Sequence, residues 1–284
     1  MIELLMFATP LILAASGETL GQKAGVINIG LEGVMLVAAY FAALVSLSTG
    51  SPWLGMAAGA SAGMLLNLIA SRFTIKLGAD QVVVGTAVNL LALGLTGTLF
   101  RAQFGQTGKL FSVPTLPAWH GVDAIMVLAL VLVALITWLI WKTAYGLALR
   151  SVGEYPKAAE AAGFSVHKLR FGASAISGLM GGLGGAYLAL GIAGSFAENM
   201  TNGRGFIAIA MVTFGRWKPV YVLFACLLIG YLDSLQFVLQ AKGWALPFQL
   251  FVALPYVVAL AVLVIAGRGT MVPAALGRAY VREK

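Results

Sequence analysis

Apolar residues in this chain run in long blocks separated by short polar stretches, from one end to the other. The blocks at 2–16, 29–48, 53–71, 81–100, 123–141, 171–191, 205–217, 220–239 and 248–267 are read as membrane segments, because a helix needs about 20 mostly apolar residues to cross a hydrocarbon core. Two of them, 2–16 and 205–217, are short for a full crossing, and the second is flanked by glycine. No long alternating stretch is present, which argues against a β-barrel. No soluble block or long linker interrupts the pattern. Residues 1–284 are therefore expected to form a single all-α, polytopic membrane domain of about nine segments, with broken or half helices among them. The first block has Glu3 near its start and no basic leader, so it is expected to be a retained span rather than a cleaved signal.

Composition strengthens the same reading. Hydrophobic residues make up 60% of the 284 positions and charged residues only 10%, with a mean hydropathy of +0.95. A soluble domain carries about 25% charged residues. The net charge of +8 does not indicate nucleic-acid binding, because the basic residues are dispersed and gather only in loops. Lys142, Arg150, Lys157, Lys168 and Arg170 lie in the 142–170 segment, and Arg268, Arg278, Arg282 and Lys284 in the tail 268–284. The positive-inside bias puts both in the cytoplasm. The crossings counted between them agree, and they place the Arg216–Lys218 turn, Arg72 and Lys76 inside. The N-terminus and the 101–122 loop then fall outside. That loop, with Pro114 and Pro117, is long enough for a short extra helix.

The chain lacks the residues for catalysis. Its Gly108-Lys109 pair is followed by leucine, so there is no G-x-x-x-x-G-K-[ST] phosphate loop. His120 and His167 sit in loops expected on opposite sides, and Cys226 is a lone cysteine. No metal set, cofactor site or nucleophile–base pair emerges. Uphill transport would draw on an ion gradient or on another subunit.

The stretch Gly153-Glu154-Tyr155-Pro156-Lys157-Ala158-Ala159-Glu160-Ala161-Ala162-Gly163 carries the most information. Pro156 suits the first turn of a helix and Gly163 the position past its end. The alanines between predict a smooth helix of about two turns. Such a helix either connects two spans or fits a groove on another protein. The stretch resembles the coupling helix of ABC-importer permeases in the branched-chain amino acid, ribose and nucleoside superfamily, matching Gly-Glu-x-Pro-x-Ala-Ala-x-x-Ala-Gly throughout. Gly25-Val26-Ile27-Asn28-Ile29-Gly30-Leu31-Glu32-Gly33 is similar to a segment of nucleoside-type permeases. So are Gln81-Val82-Val83-Val84-Gly85 with Asn89-Leu90-Leu91-Ala92, and Leu235-Gln236, Leu239-Gln240, Pro247 and Leu254-Pro255-Tyr256. The resemblance implies an importer for nucleosides in the cell (inner) membrane. It also implies docking of a separate ATPase through 153–163, with ATP and Mg bound there and no cofactor here. A second permease, giving a heterodimer, and an external binding protein that delivers a small polar solute are implied as partners. Simple sugars or branched-chain amino acids are the alternative cargoes.

Residues within or beside the apolar blocks are the pathway candidates: Asn28, Glu32, Asn89, Asn202 and Asp233 for their polarity, and Phe206 for its aromatic face. A buried charge in a span costs roughly 3 kcal/mol on insertion scales, so Glu32 and Asp233 each need either a pathway role or a structural partner. In an ion-coupled secondary transporter, the rival reading, they would bind the coupling ion. Asn67 and Asn89 either line a pore or tie helices together. The segment 205–217 is a candidate half-helix following Asn199, Asn202, Gly203 and Arg204. Gly25-Val26-Ile27-Asn28-Ile29 and Gly205-Phe206-Ile207-Ala208-Ile209 share a loose Gly-x-Ile-x-Ile pattern that points to an inverted-repeat core. Gly55, Gly59 and Gly63, and Gly178, Gly181, Gly182 and Gly185, predict close helix packing.

Overall fold

The computed structural model describes residues 2–105, 112–241, 253, 257, 258, 260, 264 and 272–280. The expected span 248–267 lies almost wholly outside the described residues. In chain order the helices are α1 (Ile2–Lys23), α2 (Leu31–Thr49), α3 (Pro52–Ser71), α4 (Gln81–Phe104), α5 (Ala124–Lys142), α6 (Ala144–Glu154), α7 (Pro156–Ala161), α8 (Val166–Tyr187), α9 (Arg204–Phe214) and α10 (Pro219–Ala241). A π-helical turn continues α3 through Arg72–Lys76 and another continues α8 through Leu188–Ala193. Seven helices among the described residues are long and apolar enough to cross a membrane: α1 to α5, α8 and α10. The chain is thus a polytopic helical membrane protein, and the expected count of nine is not reached among these residues.

Two expectations change, and the short helix expected at 205–217 is present. The first block does not stop at Ser16. Helix α1 runs on to Lys23, because Glu18, Thr19 and Gln22 are buried with partners of their own. Thr19 Oγ1 donates to the Ala15 carbonyl at 2.8 Å, and Gln22 Nε2 to Glu18 Oε1 at 3.1 Å. The 205–217 block yields α9, whose 11 residues span roughly 16 Å, about half the hydrocarbon core. The 101–122 loop shows no helix among its described residues beyond the end of α4. It carries a small hairpin pairing β1 (Ala118–Trp119) with β2 (Val122–Asp123), turned by His120 and Gly121, both at positive φ. Asp123 then caps α5, accepting from the amides of Ile125 and Met126 at 2.8 and 2.9 Å.

The centre of the bundle is α1, buried without a break from Ala8 to Gln22, with α2 beside it. Helices α4, α5 and α10 turn leucine and valine side chains outward, as lipid-facing helices do. The glycine seams act as expected. A Cβ on Gly63 would lie 2.6 Å from the Gly182 Cα, and one on Gly59 2.7 Å from the Ala38 carbonyl oxygen. These contacts bring α3 onto α8 and α2 at backbone distance, where dispersion and helix contact replace the absent hydrophobic drive. The two Gly-x-Ile-x-Ile stretches differ in conformation: Gly25–Ile29 is non-helical, and Gly205–Ile209 is helical.

Basic residues gather at one end. Lys23, Lys76, Arg150, Arg170 and Lys218 converge there, with the carbonyls of Ala24 and Arg278 on Arg170 and the rings of Trp141 and Phe171 on Arg150 and Lys76. The Arg216–Lys218 turn joins them, since Trp217 Nε1 donates to Gln22 Oε1 at 2.7 Å.

Candidate functional site

Helix α1 ends at Lys23 because Gly25 takes a left-handed conformation, φ +86°. The chain then runs without helix from 24 to 30, inside an apolar bundle. Backbone freed from a helix at that depth needs partners, and side chains from distant segments supply them. The Ile27 amide donates to Gln81 Oε1 at 2.8 Å, and the Asn28 amide to Glu18 Oε1 at 2.9 Å. Asn89 Nδ2 donates to the Ile29 carbonyl at 2.9 Å, while its Oδ1 accepts from the Gly33 amide at 2.8 Å. Arg170 Nε donates to the Ala24 carbonyl at 3.1 Å. Gln81, Gly85 and Asn89 recur every four residues and so form one stripe of α4 facing this segment. Gly85 sits in the stripe because a Cβ there would meet Ile29 Cβ at 2.6 Å.

Glu18 is the acid at the centre of this arrangement. It is fully buried and accepts from Gln22, from the Asn28 amide and from Ser177 Oγ, the last at 3.0 Å. It lines a small cavity of about 20 Å³, with Asn28, Asn67, Gln81, Ser174 and Ser177 as its polar members. That volume is about one water's, and the Asn28 Nδ2 and Ser174 Oγ atoms are buried without a partner among the described residues.

The second discontinuity is the N-terminus of α9. Glu32, in the first turn of α2, accepts from the Gly203 amide through Oε1 at 2.7 Å and from the Gly205 amide through Oε2 at 2.6 Å. A carboxylate suits this place because a helix N-terminus carries orphan amides and partial positive charge. A Cβ on Gly205 would collide with the Glu32 main chain, so only glycine admits the approach. Arg204, on the same turn, pairs with Asp233 of α10 at 3.6 Å. Asn202, at φ +43°, and Phe206 are exposed beside this turn. Glu32 therefore joins the two discontinuities, placing Asn28, Glu32 and Asn89 around one and Asn202, Phe206 and Asp233 around the other.

At the basic end, Thr143 Oγ1 caps α6 by accepting from the Gly146 amide at 3.0 Å. Helix α7 begins at Pro156 and ends before Gly163, which takes φ +91°. Only Ala159 of its alanines turns inward, packing with Val152 and Val166. Ala158, Ala161, Ala162 and Gly163 are exposed, and the exposed rings of Tyr155 and Phe164 flank them. Gly153 and Glu154 close α6, Lys157 is exposed on the first turn of α7, and Tyr280 donates a hydrogen bond to Glu160.

Residues 1–267 match the family described as branched-chain amino acid transport system / permease component. The chain belongs to that permease family. It is a multi-pass membrane protein of the plasma membrane. It is 37% identical to the guanosine ABC transporter permease protein NupQ of Bacillus subtilis, over 99% of this chain and 95% of that one. The nucleoside ABC transporter permease protein NupC of Lactococcus lactis is 33% identical, over 99% and 96%. The putative glucose ABC transporter permease protein TsgC13 of Haloferax volcanii is 34% identical, over 97% and 95%. No solved structure matches the chain significantly.

Of the residues expected from the sequence, Asn28, Glu32 and Asn89 lie at the first discontinuity of this permease, and Asn202, Phe206 and Asp233 beside the second. Asn89 and Asn67 tie backbone together, the latter through the Ser174 carbonyl at 2.6 Å. Glu32 and Asp233 each have a protein partner. Glu18 and Gln81 went unnamed as site residues, and Arg170 was read as a loop charge. Arg170 is instead 1% exposed, within α8. The signal for Glu18 was present: Glu18 and Gln22, four residues apart, share a helix face beside an apolar block.

Proposed function

We propose that this permease forms part of an import pathway for nucleosides and is energised by separate ATPase subunits. The observation that carries the reading is α7: a short helix at the basic end with an exposed alanine face between two exposed aromatic rings. That surface is too small to hold to lipid and suits a groove on a protein. The basic end is cytoplasmic by its charge, so residues 153–163 meet an ATPase there. ATP and Mg bind that partner, and this chain is a conduit rather than an enzyme. A second permease completes the pathway, and an external binding protein delivers the solute. The two discontinuities, with Asn28, Asn89, Asn202 and Phe206 at or beside them, are the polar places along the bundle. They form this subunit's share of the pathway. Glu32 and Asp233 act by holding α9 in position.

Nucleoside cargo rests on the Gly25–Gly33 segment and on the names of two relatives. A sugar is the second reading, favoured by the Haloferax relative, whose identity equals theirs within a few per cent. Calorimetry on the partner binding protein with guanosine, adenosine and glucose separates the two. Tight binding of a nucleoside is expected. Tight binding of glucose with none of nucleosides would replace the cargo and leave the machine unchanged.

A further inference from the structure

We infer that the C-terminal strap, residues 272–280, works with Arg170 as the linkage that carries movement of the docking helix to the non-helical segment 24–30. This rests on the docking reading of α7. The strap touches both sides of that connection. Toward the docking loop, the Ala275 amide donates to the Gly153 carbonyl at 2.9 Å, the Ala274 amide to Glu154 Oε2 at 3.3 Å, and Tyr280 to Glu160. Toward the pathway, the Gly277 amide donates to the Gly25 carbonyl at 3.2 Å, and the Arg278 carbonyl accepts from Arg170 Nη1 at 2.9 Å. The strap is itself a tight turn, closed by Leu276 and Arg278 amides on the Pro273 and Ala275 carbonyls. Tension on one side therefore reaches the other with little slack.

Arg170 is the pin of the joint. Its fork reaches the Ala24 carbonyl with Nε and the Arg278 carbonyl with Nη1, so one rigid group fixes the spacing between segment 24–30 and the strap. Its Nη2 is buried with no partner among the described residues. A buried cation that is already short of one bond tolerates the loss of another poorly. The joint thus has a sharp preference for one arrangement of α7, strap and segment. Gly153 adds a direct contact, since it packs on the Lys23 carbonyl with no room for a Cβ. From segment 24–30 the connection continues through Asn28 to Glu18 and through Ile29 to Asn89.

The test uses the full complex of permeases, ATPase and binding protein in liposomes, and reads solute moved per ATP hydrolysed. Arg170→Lys keeps the charge but replaces the rigid fork with a single ammonium on a flexible stem, which no longer fixes the spacing of the two carbonyls. Ala275→Pro removes the amide that binds Gly153 and changes no residue of the helices. Both are expected to retain co-purifying ATPase and ATP hydrolysis while solute moved per ATP falls about ten-fold, within the usual range of coupling between sites. If Arg170→Lys fails to assemble, Ala275→Pro alone decides. An unchanged ratio in Ala275→Pro, with ATPase retained, overturns the linkage. Failure of the docking reading has a different signature: Ala162→Trp would then leave ATPase co-purification intact.

Discussion

Replacing Glu32 with leucine is expected to abolish solute uptake, while glutamine at the same place leaves a reduced but measurable rate. Glu32 accepts from two amides of the α9 N-terminus, those of Gly203 and Gly205. Leucine leaves both without an acceptor, and each such buried donor costs about 1–3 kcal/mol. It also removes the negative charge from the positive end of the helix, worth a further ~0.3–2 kcal/mol. Together these exceed what an 11-residue helix can absorb without shifting, since short helices depend on tertiary support. Glutamine keeps one acceptor oxygen and loses the charge, so about half of the penalty is expected. Aspartate is one methylene shorter and reaches one amide rather than two. Gly205→Ala approaches the same contact from the other side, because its Cβ would collide with the Glu32 main chain. Initial uptake rates of the assembled transporter, with thermal unfolding in detergent as the control for insertion, check the series. Uptake by the leucine variant equal to that of the parent chain would remove Glu32 from the account.

The second large effect lies at α7, the helix proposed to dock the ATPase. Ala162→Trp is expected to release the ATPase and to stop uptake, with no loss of permease stability. Ala162 is exposed at the end of α7, so an indole there meets solvent in the isolated permease and a wall in the complex. Surface substitutions away from buried features change stability by about 0.5 kcal/mol or less. The alanine face is complementary to a partner only while it stays flat, and one large ring prevents close approach over several ångströms. The prediction separates docking from folding: monodisperse permease of normal melting temperature, but no ATPase co-purifying with it. Retention of the ATPase in normal amount would contradict it.

Much of the helical frame was legible because lipid selects a single property over some 20 residues at a time, and single-sequence hydropathy reads that property directly. The π turns after Ser71 and Tyr187 left no mark, since their residues are as apolar as an ordinary helix end. The polar end of α1 was missed for the opposite reason. Ser16, Glu18, Thr19 and Gln22 look like the end of a span when counted by hydropathy, yet each lies within the bundle. Glycine spacing marked two close-packing faces, because a missing side chain has one main use in a packed helix pair; that the two meet, α3 on α8, is seen only in the structure. The short helix α7 was legible from its end signals, Pro156 and Gly163. The site was legible only as a set of unusual residues. Glu32 and Gly205 are 173 positions apart, and Arg170 and Ala24 are 146 apart. Nothing local to either member announces the other. The same distance in sequence explains why Arg170 read as a loop charge, when its role depends on a strap more than 100 residues downstream.

The central claim is that this permease moves solute with energy supplied by another subunit. Reconstitution in liposomes tests it directly, with radiolabelled solute followed across the membrane. The account predicts no accumulation by the chain alone under a sodium or proton gradient, and accumulation once the ATPase, the second permease, the binding protein and ATP are all present. Uphill accumulation by the chain alone, driven by an ion gradient without ATP, would contradict it.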